Sequence, residues 1–117
     1  MGKQMNAIDT VREFCSCWFE LRDAEKTAEY LSEDISFIGT GEKEYACGKE
    51  AMIRYLHQDI GEIPEPFDTE CHVVYEQALD DQIHMVFGEI TLRNSVYAWR
   101  VRGIFNLKNT GDQWLVS

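Results

Sequence analysis

Three stretches of this chain alternate apolar and polar residues with a period of two, the pattern of a half-buried strand. They are Glu70–Leu79, Gln82–Arg93 and Val96–Lys108, rich in Val, Ile, Tyr, Phe and Trp. Asp80-Asp81 and Asn94-Ser95 sit where two-residue hairpin turns fit. With two such turns the register follows. Tyr75 faces Val86 and Gly103, Gln77 faces His84, Ile90 faces Trp99 and Leu92 faces Tyr97. One sheet face then holds Cys71, Val73, Tyr75, Gln77, His84, Val86, Gly88, Ile90, Leu92, Tyr97, Trp99, Val101, Gly103, Phe105 and Leu107. That face carries the aromatics and no carboxylate, so it is the core side. The opposite face holds His72, Val74, Glu76, Met85, Phe87, Glu89, Thr91, Ala98, Arg100, Arg102 and Ile104. Val74, Met85, Phe87 and Ile104 make it too apolar for a merely solvated surface, which predicts a covering partner chain. The same register sets His72, Glu89 and Arg100 in a row, read as cross-strand charge pairing.

Before the sheet the period changes to that of helices. Asn6 caps a first helix with Asp9 in its first turn, and Ile8, Val11, Phe14, Cys15, Trp18 and Leu21 form an amphipathic stripe. Asp23 caps a second, shorter helix that runs through Leu31. Ile35–Ile38 is a short strand, and the stretch from Gly39 to Glu44 is a loop or hairpin tip. Gly48 opens a third helix with Ala51, Met52, Tyr55 and Leu56 inward. The extended Gly61–Pro66 segment leads into the three long strands. Gln113–Ser117 begins a fourth strand that stops once Trp114 and Val116 have turned inward. It reads as the start of a longer strand, and the chain as a fragment or one whose tail has been removed.

The 117 residues make one domain, residues 1–117, with enough chain for one core. A hydrophobic fraction of 44% describes a globular protein. Eleven basic residues against 21 acidic ones leave a net charge of −10, which argues against nucleic acid and anionic membranes as partners. No leader or membrane-length apolar run is visible, so the expected location is the cytoplasm. Cys15, Cys17, Cys47 and Cys71 show no metal-ligand spacing and read as reduced, mostly buried thiols. No cofactor and no metal are expected.

Phe37-Ile38-Gly39-Thr40-Gly41 after the helical pair, Cys47-Gly48-Lys49-Glu50-Ala51-Met52 opening the third helix, and the closing Gly111-Asp112-Gln113-Trp114-Leu115-Val116 supply local motifs. Together with the order helix, helix, short strand, helix, meander, they resemble the nuclear transport factor 2-like superfamily, in particular its SnoaL-like branch. The versions it resembles most stand alone or are attached to bacterial signalling proteins. The resemblance implies an α+β, cone-shaped roll of the cystatin-like type. In it a curved antiparallel meander carries three helices on its concave face, with a pocket between them and dimers through the outer sheet face. Relatives include ketosteroid isomerases, polyketide cyclases, scytalone dehydratase and limonene epoxide hydrolase, whose pockets use paired acid and base groups.

The expected pocket lining is Trp18, Phe37, Met52, Tyr55, Tyr75, Gln77, His84, Trp99 and Phe105. The expected dimer face is His72, Val74, Met85, Phe87, Glu89, Arg100, Arg102 and Ile104. The leading expectation is a non-catalytic domain that binds a small apolar or amphipathic molecule, dimerises, and serves a fused or partner signalling domain. One alternative is an enzyme with His84 as general acid/base, Tyr75 or Gln77 orienting the substrate, and Asp34 or Glu33 as a further candidate base. The other is a purely structural association module.

Overall fold

A computed structural model describes residues 5–39, 42 and 44–117. Helix α1 spans Ala7–Cys15, and the Asn6 side chain accepts from the Asp9 N–H at 2.8 Å, the expected N-cap. The helix then loosens into a π-helical turn, Ser16–Glu20. This winding buries Cys15 and Cys17 alike, where ordinary helical spacing would set them on opposite sides. Helix α2 is Ala24–Ala28, capped by Asp23 through the Lys26 N–H, and it ends before the expected Leu31. Strands β1 (Ser36–Ile38) and β2 (Tyr45–Cys47) form a small antiparallel pair. Thr40 and Gly41, part of the expected loop between them, lie outside the described residues. Gly48, at φ +90°, turns the chain into α3, Lys49–Glu62.

The main sheet is an antiparallel meander of β3 (Asp68–Ala78), β4 (Ile83–Arg93), β5 (Ala98–Asn109) and β6 (Trp114–Val116), in that order. Its inner face packs on the helices through Val86, Ile90, Leu92, Leu107 and Val116, against Val11, Phe14, Leu31, Met52 and Leu56. The architecture is α+β, a curved antiparallel sheet with three helices. β6 pairs with Leu107, Lys108 and Asn109 of β5. Trp114 and Val116 face inward as expected.

Both hairpin turns are longer than two residues, and polar side chains set their lengths. Asp80 Oδ1 accepts from the N–H groups of Gln82 and Ile83, and Leu79 N–H bonds Ile83 O across a three-residue loop. Asn94 Oδ1 accepts from Val96 and Tyr97 N–H, closing a four-residue loop. Neither turn has the glycine that a two-residue loop favours, so the Asx side chain supplies the turn instead. The Asn94 loop shifts β4–β5 pairing by two residues and keeps every face: Ile90 faces Val101, and Leu92 faces Trp99.

The Asp80 loop shifts β3–β4 pairing by one residue, so Tyr75 faces Phe87 and Gln77 faces Met85. A bulge between Val73 and Tyr75 cancels the shift, and from Val73 back to Asp68 the pairing is the one expected. Between bulge and turn the faces are exchanged. Tyr75 and Gln77 lie on the outer face, and Glu76 lies on the inner face beside His84.

Candidate functional site: an aromatic cleft closed by Asp59 and Arg22

Between the helices, the β1 edge and the β5 half of the sheet lies a cleft of about 670 Å³. Its walls bring together Trp18, Phe37, Met52, Tyr55, Trp99 and Phe105 from the expected set, and add Phe19, Phe67, Arg22, Glu44 and Asp59. Trp18 and Phe19 both reach the cleft because they sit in the π-helical turn, and their rings stack at 4.6 Å. Phe37 of β1 and Tyr55 of α3 lie 4.8 Å apart, with Trp18 at 5.9 and 6.2 Å from them in edge-on contacts. Phe105 can lie over the sheet because its neighbour there is Gly103; a Cβ at that position would stand 3.2 Å from the Phe105 ring.

One polar cluster closes the cleft. Asp59 stands one helical turn after Tyr55 and so shares its face of α3. Its Oδ2 accepts from Trp18 Nε1 at 2.9 Å and from Arg22 Nη2 at 3.2 Å. Arg22 also donates to the backbone oxygens of Trp18, Asp59 and Ile63, and its side chain is 4% exposed. Arg22 adopts φ +51°, a left-handed conformation that costs a non-glycine residue about 1 kcal/mol or more. That turn brings its guanidinium back beneath the cleft.

The Tyr55 hydroxyl is pushed up to about 12, first by burial and then by the negative charges of Asp59, Glu44 and Glu62. It is therefore a proton donor, not a base, at neutral pH. Asp59 is held by a buried cation and an indole N–H.

Tyr75, Gln77 and His84 are not among the lining residues of the cleft. Tyr75 and Gln77 are carried to the outer face by the shifted register. His84 stays on the inner face, further along the sheet. Its Nδ1 is 2.8 Å from Glu76 Oε2, and its ring is 4.5 Å from that of Trp114. The expected facing pair of Gln77 and His84 is thus lost: His84 faces Ala78, and its side-chain partner is Glu76, diagonally across the two strands. The expectation of an inner face without a carboxylate is corrected by the same bulge.

Asp34 carries a carboxyl lowered below its usual range by the Ser32 hydroxyl first and then by Lys108, which does not suit a general base. Glu33 pairs with Lys49 at 3.9 Å. On the outer face Glu89 sits between Arg102 at 3.3 Å and Arg100 at 3.8 Å. The residue directly opposite Glu89 on β5 is Arg102, two places from the expected Arg100. Cys47 is exposed and Cys71 half-buried, so only Cys15 and Cys17 meet the expectation of buried thiols. Among the described residues, no three His, Cys, Asp or Glu side chains gather as a metal site, and no helix is long and apolar enough to cross a membrane.

This arrangement of helices over a curved meander is that of NTF2-like proteins. A putative calcium/calmodulin-dependent protein kinase type II association domain from Thiobacillus denitrificans superposes with a TM-score of 0.81 at 11% identity, covering 99% of this chain and 93% of that one. An NTF2-like protein of unknown function from Pseudomonas putida gives 0.79 at 14%, covering 93% and 78%. A ketosteroid isomerase-like protein from Erwinia carotovora atroseptica gives 0.70 at 14%, covering 93% and 86%. These likenesses establish the fold. Curated protein sequences give no match. The chain belongs to the SnoaL-like domain family, whose model matches residues 8–116.

Proposed function

We propose that this SnoaL-like domain is a non-catalytic binding module that takes a small amphipathic molecule into the aromatic cleft and dimerises through the outer face of its sheet. It serves as a sensory or accessory unit to a signalling partner. The observation that carries the reading is the chemistry of the cleft: aromatic and aliphatic walls around one polar cluster, the composition of a small-molecule site. Its titratable groups are arranged to bind and orient. Asp59 is fixed by Arg22 and Trp18, and Tyr55 keeps its proton. His84 and Glu76, the pair with acid/base character, stand outside the lining residues, which weighs against turnover in the cleft.

The test is native mass spectrometry of freshly purified protein beside its denatured mass. Extra non-covalent mass, lost on denaturation, is the expected result and delivers the ligand for identification. A protein that stays empty after incubation with an extract of its host's small molecules would leave the structural association module as the better reading.

A further inference from the structure

The cleft has a directional electrostatic end. Arg22, the one buried cation among the described lining residues, spends most of its donors on main-chain oxygens: those of Trp18, Asp59 and Ile63. Asp59 O and Ile63 O belong to the last turn of α3 and its C-cap, the negative end of the helix dipole. The guanidinium is therefore balanced in large part by the helix terminus. Both hydrogen bonds to the Asp59 carboxylate end on Oδ2; among the described residues none ends on Oδ1. The Asp59 side chain is 24% exposed and lines the cleft. The Trp18, Phe37 and Tyr55 rings line the same cleft, and an aromatic π face attracts a cation. The other arginine among the described lining residues, Arg102, directs its guanidinium to Glu89 on the outer face.

We infer that the ligand is a protonated amine with an apolar, ring-sized body, its nitrogen donating to Asp59 Oδ1 and its body held in the cleft against Trp18, Phe37 and Tyr55. This rests on the reading of the cleft as a binding site and names the ligand class. A neutral alcohol of the same shape meets the same walls but makes only an ordinary hydrogen bond. A carboxylate meets Asp59 and the helix terminus with repulsion.

Three compounds of one shape decide it: phenethylammonium, 2-phenylethanol and 3-phenylpropionate, each titrated into the wild-type protein by calorimetry, with quenching of Trp18 and Trp99 fluorescence as a second readout. Phenethylammonium is expected to bind about tenfold more tightly than the alcohol, the margin of a charge-assisted over a neutral hydrogen bond, and the carboxylate most weakly. Asp59→Asn keeps an oxygen for Trp18 and should bring the ammonium level with the alcohol. If that variant does not fold, the wild-type series decides alone. Equal binding of ammonium and alcohol, or tighter binding of the carboxylate, overturns the amine assignment and leaves the cleft as a binding site. Binding of none of the three overturns the amine assignment, while the mass measurement above still decides whether the cleft holds anything.

Discussion

Glu76 Oε2 stands 2.8 Å from Nδ1 of His84, on the inner side of the sheet, and the Trp114 ring lies on the imidazole at 4.5 Å. The contact exists because the bulge near Val74 exchanges the faces of the last residues of β3. The Glu76 and His84 side chains are 30% and 23% exposed, so solvent screens the pair. A double-mutant cycle with Glu76→Ala and His84→Ala should give a coupling of about 0.5–1 kcal/mol in urea unfolding. A coupling above about 2 kcal/mol would show that the pair is held far more rigidly than its exposure implies.

Periodicity made most of the fold legible, because a half-buried strand and an amphipathic helix repeat over enough residues to be read. The helical stripe through Val11, Phe14 and Cys15 and the inner row of Val86, Ile90 and Leu92 are of this kind. Turn lengths were not legible. They depend on which N–H groups Asp80 and Asn94 accept, a choice made within two or three residues. The error at Asp80 moved Tyr75, Gln77 and Glu76 to the wrong faces, whereas the error at Asn94, being even, moved nothing. Asp59 had a usable signal, since it stands four residues after the inward Tyr55. Arg22 had none, because its place depends on a left-handed backbone and on carbonyls some 40 residues away.

Arg22 ties the π-helical turn to the end of α3. Arg22→Ala would remove a nearly buried guanidinium and leave Ile63 O and Asp59 without their shared donor. The expected loss is about 3 kcal/mol in denaturant unfolding. Arg22→Lys should recover only part of it, because an ammonium cannot reproduce the fork that spans Trp18 O, Ile63 O and Asp59. Full recovery by lysine would show that charge alone matters there.

Tyr55 gives the alkaline limit. Its folded hydroxyl titrates near 12, above the ordinary value of 10, so folding favours the protonated form. Its contribution is complete below pH 10 and is lost as pH rises from 10 to 12, where the unfolded chain has released a proton that the folded chain retains. Stability measured between pH 9 and 12 should therefore fall more steeply in the wild type than in Tyr55→Phe. Identical slopes would place the hydroxyl in a solvated setting.

Cys15 and Cys71 meet where α1 crosses β3. The Cys15 thiol donates to Cys71, which lowers Cys71 to about 7 against the opposing effect of burial, while Cys15 is held well above its ordinary value by the same contact and by its burial. Alkylation of Cys71 by iodoacetamide, followed by peptide mass mapping, should show a midpoint near pH 7. Cys15→Ala removes the donor, so the midpoint should climb towards 9. A midpoint that does not move would assign the lowering to Arg12 instead.

Ile104 and Val74 are 60% and 59% exposed on the outer face, with Phe87 between them in the sheet and Glu89, Arg100 and Arg102 alongside. Apolar side chains flanked by charges of both signs suit a self-complementary surface, where one protomer's arginines meet the partner's glutamate. If two protomers bury this face, a charge at its centre should separate them. Ile104→Glu is expected to turn a dimer into a folded monomer in light scattering, with unchanged circular dichroism, since the side chain points away from the core. Glu89→Arg should weaken the dimer less than Ile104→Glu does, because charges at the edge of an interface remain hydrated. A wild-type monomer, or a dimer indifferent to both changes, would remove this face as the interface and leave the cleft assignment untouched.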